Sequence, residues 1–188
     1  MIKGIEKLPP VTLVAAVTRD GGLGRAGELL YRISADMKHF KALTMGHPLI
    51  MGRKTFESFP SGPLPGRLNI VLTRSAMTLP EGAVAAGSPD EALRFAAEYI
   101  ADKTASCDSA DCGAEMSAMV IGGGEIYRTF MPMASVLELT EIDADAPAGT
   151  DTWFPPVNPA DWNTVAASAP FADQRTAVAY RFLTLRHR

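Results

Sequence analysis

An acidic residue in the first turn of a predicted helix is the sharpest candidate for chemistry in this sequence. Asp36 precedes Met37 by one position and Phe40 by four, which places its carboxylate near the apolar face of that helix. An acid at a helix N-terminus often only favours the helix dipole, by about 0.3–1 kcal/mol. A buried acid would instead have a raised pKa and would suit a flat, amide-like heterocycle with adjacent N–H donors. Thr140, in a predicted strand, would supply a second hydrogen bond there.

Three further segments have the composition of anion sites. Gly122, Gly123 and Gly124 follow an apolar strand and open a predicted helix, so the backbone can approach a ligand and direct free N–H groups at it. Gly52-Arg53-Lys54-Thr55 and Thr73-Arg74 combine cations with hydroxyls where two other strands end. Each segment alone also fits a tight turn or a solvated surface charge. Because ligands gather at the carboxyl ends of parallel strands, the three together favour one crevice for a ligand with several phosphates, such as NADPH.

Two other features fall short of known binding motifs. The dinucleotide fingerprint G-x-G-x-x-G is absent after the first strand, since Gly22 and Gly24 are expected in a loop that no glycine-bearing helix follows. Cys107 and Cys112 are expected to be free thiols, with half of a metal site or a small strained disulfide as alternatives. They lack the second Cys/His pair of a structural zinc site, so no metal is predicted.

The elements that must position these residues alternate between strands and helices. Val11–Thr18 is a nearly continuous apolar run, typical of a strand buried on both faces of a mainly parallel sheet. Further strands are predicted over residues 48–51, 68–73, 83–86, 116–121 and 136–142, with an antiparallel edge hairpin from 164–168 and 176–185. Helices are predicted over residues 34–45, 52–59, 88–102 and 122–131, the first capped by Ser34 and the third by Ser88.

In the first helix, Met37, Phe40 and Leu43/Thr44 are expected to face the core. The pattern as a whole predicts an α/β fold, a single domain with a central, mainly parallel eight-stranded sheet flanked by helices on both faces.

Length and composition limit the function classes. With 188 residues, 47% hydrophobic and 21% charged, the chain fits one globular domain over residues 1–188. Its net charge of -3 and the lack of a Lys/Arg stripe argue against nucleic acid as a partner. Residues 1–10 form an N-terminal extension without a signal-peptide core, and no apolar run suggests a membrane span, so a cytoplasmic monomer is expected. The polar residues 103–115 are expected to be an exposed insertion.

The motifs occur in an order that resembles the dihydrofolate reductase family. The segments VAAVTRDGGLG, SADMKHFKALTMGHPLIMGRKTFES, PLPGRLNIVLTR, MVIGGGEIY and LTEIDADAPAGTDTWFP carry this resemblance from about Val11 to Leu185. It implies reduction of 7,8-dihydrofolate to tetrahydrofolate with NADPH, which supports one-carbon metabolism and nucleotide synthesis. It also implies binding of antifolates such as trimethoprim.

The resemblance assigns roles to the substrate side of the site. Asp36 would bind the 2-amino group and N3 of the pterin ring, with Thr140 as its hydrogen-bonded helper. Arg67 would pair with the α-carboxylate of the glutamate tail, which suits a bidentate guanidinium. Lys41 would assist this contact from outside the pocket. The apolar walls would come from Val14, Ala15, Met37, Phe40, Phe59, Leu64 and Ile121.

The resemblance also assigns the cofactor side. Arg53, Thr55, Thr73 and Arg74 match residues that hold the phosphates of NADPH, including the 2′-phosphate that distinguishes it from NADH. Gly122, Gly123 and Gly124 match a pyrophosphate turn that contains a cis Gly-Gly bond. The cofactor site would be completed by Ala16, Leu23, Gly24, Gly52, Lys54, Leu72, Ile121, Glu125, Ile126 and Tyr127.

The loop over the nicotinamide departs from the family pattern. Leu29-Leu30-Tyr31 fills positions where the family often has Met or Leu followed by Pro-Trp, and Ser34 stands where Pro is common. Tyr31 is still flat and can still donate a hydrogen bond, so activity is expected to survive. In the implied mechanism, hydride reaches carbon 6 of the substrate while nitrogen 5 takes a proton from water admitted past Leu29 and Tyr31.

Two alternatives to dihydrofolate reduction stay open at this point. A pyrimidine reductase of riboflavin synthesis would share the sheet and the NADPH turn, although Asp36 and the PLPGR segment argue against it. A non-catalytic pterin- or nucleotide-binding paralogue is suggested only by the altered loop at Leu30 and Tyr31.

Overall fold

The computed structural model describes residues 8–106 and 116–188. The strands of its main sheet are β1 Val11–Thr18, β4 Leu49–Gly52, β5 Asn69–Leu72, β6 Ala83–Ala86, β7 Ala118–Val120, β8 Ala134–Ile142, β10 Trp162–Ala167, β11 Phe171–Ala172 and β12 Ala179–His187. They run in the order β10-β12-β8-β1-β7-β4-β5-β6, with the short strand β11 paired to β12. The predicted eight-stranded sheet is thereby confirmed, with β11 as an addition.

Strand directions agree with the predicted βα alternation. β1 pairs in parallel with β7 and β8, and β4 pairs in parallel with β7 and β5, which in turn pairs with β6. β12 runs antiparallel to β8 and to β10, so the C-terminal hairpin forms one edge of the sheet as predicted. The parallel strands therefore all end at the same edge of the sheet, where ligands bind in folds of this type.

Helices cover both faces, which also confirms the prediction. Helices α1 Ser34–Thr44 and α2 Arg53–Glu57 lie on one face, and α3 Pro89–Ala105 and α4 Gly124–Phe130 lie on the other. Successive strand residues alternate between the two apolar clusters: Leu13 packs with the α3 and α4 side, and Val14 packs with the α1 and α2 side. This alternation explains why Val11–Thr18 has no polar face.

Several predicted boundaries need correction. Ile33, not Ser34, is the N-cap of α1, and no side chain caps this end; the helix stops at Thr44. Met37 is 44% exposed, so it does not face the core as expected, because the inward side of the helix follows Asp36, Phe40 and Thr44. By contrast, the Ser88 side chain caps α3 as predicted by accepting a hydrogen bond from the Glu91 N–H.

Two segments expected to lack regular structure contain it. Gly22 and Gly24, expected in a loop, lie on β2 Gly22–Arg25, which pairs with β3 Glu28–Leu29 and β9 Thr152–Trp153 in a small second sheet. An added Cβ on Gly24 would lie 2.7 Å from the carbonyl oxygen of Glu28, so this close approach of the strands requires glycine. Helix α3 extends to Ala105, into the predicted insertion, whose residues 107–115 with both cysteines lie outside the described residues.

None of the helices in the described ranges has both the length and the hydrophobicity that crossing a membrane would require.

Candidate active site

The carboxylate of Asp36 is buried between α1 and the sheet. The residue is 6% exposed, and its Oδ1 accepts a 2.6 Å hydrogen bond from the Thr140 hydroxyl on β8. Burial raises the pKa of the Asp36 carboxyl, and the hydrogen bond from Thr140 and the charge of His39 oppose that rise. The structure thus brings together the two residues that the sequence singled out.

The second carboxylate oxygen of Asp36 has a different environment. Among the residues that the structure describes, Oδ2 has no hydrogen-bond partner, whereas no fully buried side-chain nitrogen or oxygen is left without one. The carboxylate is held through one oxygen, and the other could accept a hydrogen bond from a ligand.

The position of α1 follows from apolar residues at its start. Ile33 is 1% exposed and packs with Ile142 of β8 and Tyr180 of β12, which fixes the first turn of the helix above these strands. Tyr31 packs at the margin of this cluster and is half-buried, while Leu29 is 45% exposed. Because Ile33 fixes the start of α1 against these strands, Asp36 in the first turn is directed at Thr140.

Tyr127 connects the central strand β1 with the glycine turn. Its hydroxyl donates a 2.7 Å hydrogen bond to the carbonyl of Val14 in β1. Its ring atoms lie 3.2–3.3 Å from the point that a Cβ on Gly122 would occupy. Burial and then the charge of Asp36 raise the pKa of Tyr127, which stays neutral. Tyr127 is a buried packing residue of the site, a role that the sequence pattern did not indicate.

The three predicted anion segments converge at one edge of the sheet. Gly52 at the end of β4 donates a 2.8 Å hydrogen bond to the carbonyl of Gly122, and Gly52 is also the register partner of Leu72 at the end of β5. The Gly122-Gly123 bond is cis, as the family resemblance implied, and Gly122 has φ +115°. Among the described residues, a Cβ on Gly123 would meet only the Thr55 hydroxyl, at 3.6 Å, whereas a Cβ on Gly124 would lie 2.9 Å from the Trp153 carbonyl oxygen. The turn is therefore open at Gly123, which fits close approach of a phosphate-bearing ligand there.

The cationic side chains at this edge of the sheet differ in whether a carboxylate pairs with them. Arg53 forms a 2.8 Å ion pair with Glu57 one turn further along α2, and both side chains are about half exposed. Within residues 8–106 and 116–188, no carboxylate lies within 4.0 Å of the side-chain nitrogens of Lys54 or Arg74. Lys54 and Arg74 are exposed and keep their charge available for an anion. The Thr73 hydroxyl accepts a 3.2 Å hydrogen bond from the N–H of Ser75.

Arg67 is a buried cation that pairs with no carboxylate of the described residues. It is 8% exposed, and it donates hydrogen bonds to the Thr44 hydroxyl of α1 at 2.9 Å and to the Pro65 carbonyl at 3.1 Å. Burial lowers the pKa of Arg67, and no ion pair to it exists within the described part of the chain. Because a buried charge is costly unless it is paired, this arrangement favours a carboxylate-bearing ligand.

Asn69 holds the loop that carries Arg67. Its side chain is fully buried, accepts from the Leu64 N–H at 3.0 Å, and donates to the carbonyls of Leu64, Arg67 and Gly82 at 3.0–3.2 Å. Asn69 was not among the residues predicted from the sequence. A polar amide at the start of an otherwise apolar strand was the one available signal.

Apolar residues connect the acid with Arg67. The expected wall residues Val14, Phe40, Phe59, Leu64 and Ile121 all belong to the cluster under α1 and α2. Met51 and Phe56, which the sequence analysis did not select, belong to it as well.

Other predicted site residues lie apart from this wall. The side chains of Ala15 and Leu23 join the cluster on the opposite face of the sheet, and Leu72 and Ile126 pack against that cluster. Ala16 lies at the margin of the Ile33 cluster. Lys41 is exposed, and Glu125 is exposed and paired with Arg128.

Comparison with known proteins points to one family. A family model described as Dihydrofolate reductase matches residues 10–187. Dihydrofolate reductase type 3 of Salmonella typhimurium is 36% identical over 175 residues, which is 93% of this chain and 96% of that protein. Dihydrofolate reductase of Mycobacterium tuberculosis strain H37Rv is 34% identical over 91% of this chain and 94% of its own length. That of Neisseria meningitidis serogroup B is 38% identical over 81% of this chain and 83% of its own length.

The raised pKa of Asp36 predicts a pH-dependent effect on stability. Because the folded state holds this proton more firmly than the unfolded state, ionisation of Asp36 destabilises the fold as the pH rises above the ordinary value of 3.8. The free energy of unfolding of Asp36→Asn, relative to the native chain, should therefore increase as the pH rises from about 3.8 to the raised pKa of Asp36 and level off above it. Urea unfolding at a series of pH values checks this, with the exposed Asp102→Asn as control. A difference that stays flat or falls over this range would contradict a raised pKa for Asp36.

Proposed function

The chain belongs to the dihydrofolate reductase family, and from that premise we propose that Asp36 is the residue with which it binds and polarises 7,8-dihydrofolate for reduction to tetrahydrofolate. The observation that carries this proposal is the buried Asp36 carboxylate, bonded to Thr140 through Oδ1 and without a hydrogen-bond partner at Oδ2 among the described residues. A carboxylate presented in this way can accept adjacent N–H donors of a pterin ring.

The two ends of α1 match the two ends of the substrate. Asp36 lies in the first turn, and Thr44, which binds Arg67, lies eight residues later, about 12 Å along the helix axis. The apolar wall under α1 lies between them. This arrangement supports a ligand with a polar heterocycle at one end, an apolar middle and a carboxylate at the other end, as dihydrofolate has.

NADPH is the cofactor that we propose, and when bound it supplies the hydride. Gly122, Gly123 and Gly124 would hold its pyrophosphate, because the turn is open beside Thr55. Thr55, Thr73, Lys54 and Arg74 would bind the phosphates, including the 2′-phosphate. Arg53 is already ion-paired with Glu57, so Arg74 is the stronger candidate for binding a phosphate of the cofactor.

In the proposed mechanism, the residues of this chain position the substrate and set the local field. Ionised Asp36 accepts hydrogen bonds from the 2-amino group and N3 of the pterin, which raises the basicity of nitrogen 5. The apolar wall excludes bulk water and so strengthens this field. The proton for nitrogen 5 comes from a water that passes Leu29 and Tyr31, both of which retain exposure, and Asp36 does not donate it.

A pyrimidine reductase of riboflavin synthesis is the competing activity within the wider superfamily. The comparisons do not favour it, since the family model and the relatives are all described as dihydrofolate reductase. An assay of NADPH oxidation with dihydrofolate and with the riboflavin precursor, side by side, tests the choice. Turnover of the precursor alone would overturn the proposal, and binding of folate and NADPH without turnover would indicate a non-catalytic paralogue.

Replacement of Asp36 by Asn should lower the rate of hydride transfer to dihydrofolate by roughly 10²-fold or more at neutral pH, because the negative charge that polarises the pterin is lost. Binding of NADPH should persist, since its proposed contacts lie at the glycine turn. Single-turnover kinetics measures the first quantity and fluorescence titration the second. Asp102→Asn on the exposed side of α3 is the matched control, and a fully active Asp36→Asn enzyme would refute the assignment.

Replacement of Arg67 by Met should raise KM for dihydrofolate by about tenfold or more, because the charge-assisted bond to the substrate carboxylate is lost. The value of kcat should change much less, since Arg67 is remote from the reacting carbons. Steady-state kinetics checks this split, with the exposed Arg94→Met as control. Loss of kcat at unchanged KM would place Arg67 outside the substrate site.

Replacement of Arg74 by Gln should reduce the preference for NADPH over NADH by about threefold or more, because the 2′-phosphate loses an exposed cation. The measurement is kcat/KM for each cofactor at saturating dihydrofolate. Arg175→Gln, in an exposed turn, controls for the change in net charge. An unchanged ratio would assign the 2′-phosphate to other residues.

A further inference from the structure

One buried amide side chain is joined to both substrate-facing residues of the loop that precedes β5. Leu64 packs in the apolar wall, and Arg67 is the buried cation proposed to bind the substrate carboxylate. Asn69, the first residue of β5, is fully buried and has no place in the proposed mechanism. Its amide can therefore act on the substrate only through this loop.

The Asn69 carboxamide pairs with Leu64 at two points. Its Oδ1 accepts a 3.0 Å hydrogen bond from the Leu64 N–H, and its Nδ2 donates a 3.0 Å bond to the Leu64 carbonyl. A backbone peptide in a sheet ladder offers the same pair of groups. Because Pro63 and Pro65 have no N–H, Leu64 provides the only backbone donor of residues 63–65. The amide thus holds a segment that has few other ways to be held.

The same amide nitrogen also holds the backbone of Arg67. Nδ2 donates to the Arg67 carbonyl at 3.0 Å and to the Gly82 carbonyl, just before β6, at 3.2 Å. With Leu64, three carbonyls therefore share the two amide hydrogens. The backbone N–H of Asn69 donates to Gly82 as well, at 3.0 Å. Asn69 therefore fixes the loop to the sheet where β5 and β6 begin.

The side chain of Arg67 reaches toward α1 from this fixed backbone. Its Nη1 donates to the Thr44 hydroxyl at 2.9 Å, and its Nε donates to the Pro65 carbonyl at 3.1 Å. Within the described residues, Nη2 makes no hydrogen bond. One edge of the guanidinium is thus held by the protein, and the remaining N–H groups can bind a carboxylate.

We propose that Asn69 is a positioning residue that sets the preference of this site for a substrate with a glutamate tail, because its amide holds the backbone from which Arg67 reaches the ligand. Bidentate binding of a carboxylate requires an accurately placed guanidinium, so a loosened loop weakens this contact first. The inference rests on the proposed function, in which Arg67 binds the α-carboxylate of dihydrofolate.

Other side chains cannot reproduce this set of bonds. An aspartate would turn an oxygen toward the three carbonyls that now receive the amide hydrogens. A serine hydroxyl has a single hydrogen and is too short to reach both backbone groups of Leu64. Asn69→Ser is therefore a substitution that removes the two-point contact without adding a buried charge.

A comparison of two substrates tests the proposal. Dihydropteroate has the pterin and benzoyl groups of dihydrofolate but lacks the glutamate. In Asn69→Ser, the ratio of KM for dihydropteroate to KM for dihydrofolate should fall by about threefold or more, with kcat changed by less than about twofold. Asn163→Ser, exposed on β10, is the matched control. General loosening of the fold would raise both KM values alike, and an unchanged ratio would overturn the proposal.

The effect must also pass through Arg67. In a chain that already carries Arg67→Met, the further change Asn69→Ser should leave the KM ratio the same within about 1.5-fold, since two residues that act as one unit are not additive. A threefold fall that persists in the Arg67→Met background would show that Asn69 acts by another route. That result would contradict the proposal.

A measurement on the unaltered chain covers the case in which Asn69→Ser does not fold. If Asn69 positions Arg67, a ligand that engages Arg67 must in turn stabilise the contacts of Asn69, since linkage is reciprocal. Hydrogen exchange of the Leu64 N–H should therefore be slowed more by folate than by pteroate, each at the same multiple of its Kd. The N–H of Val120, fully buried in β7, is the reference for global stabilisation. Equal slowing by both ligands would overturn the proposal.

These readouts separate this inference from the proposed function. A native protein that binds folate and pteroate but reduces neither dihydro form would refute the proposed reaction, and the ratio of the two Kd values would then test Asn69 in place of KM. A native protein that reduces dihydrofolate, with a KM ratio that does not respond to Asn69→Ser, would refute the inference alone.

Discussion

The rest of the site depends on the burial of one carboxylate. Asp36 is largely buried on the inward side of α1, and within the described residues the Thr140 hydroxyl is its one hydrogen-bond partner. A buried negative charge lowers the stability of the fold, so the surrounding residues must hold the carboxylate in position. Packing of Ile33 on Ile142 and Tyr180 contributes to this by anchoring the start of α1 to β8 and β12. The same burial raises the pKa of Asp36.

The two proposed binding regions meet through the central strand. Val14 of β1 contributes its side chain to the apolar wall under α1, and its carbonyl accepts the hydrogen bond from Tyr127. The Tyr127 ring in turn packs on Gly122, whose carbonyl binds the end of β4. The apolar wall and the glycine turn are thus connected by direct contacts through β1.

Much of this arrangement could be predicted from sequence because its signals are local. Apolar runs identified the parallel strands, Ser88 identified the start of α3, and Asp36 was found from its spacing to Phe40. Features that depend on distant partners were missed. Ile33 replaces Ser34 as the cap because tertiary packing holds it, and Asn69 gains its role only when Leu64 and Gly82 approach it. The strands β3 and β9 have two residues each, too few for a periodic signal.

The most direct test of the account is a crystal structure of the protein with folate and oxidised cofactor bound. The account predicts that Asp36 Oδ2 accepts a hydrogen bond from the pterin at about 2.7–3.2 Å while Oδ1 keeps its bond to Thr140. A pterin ring bound elsewhere, or one that approaches Asp36 without such a contact, would contradict the central claim.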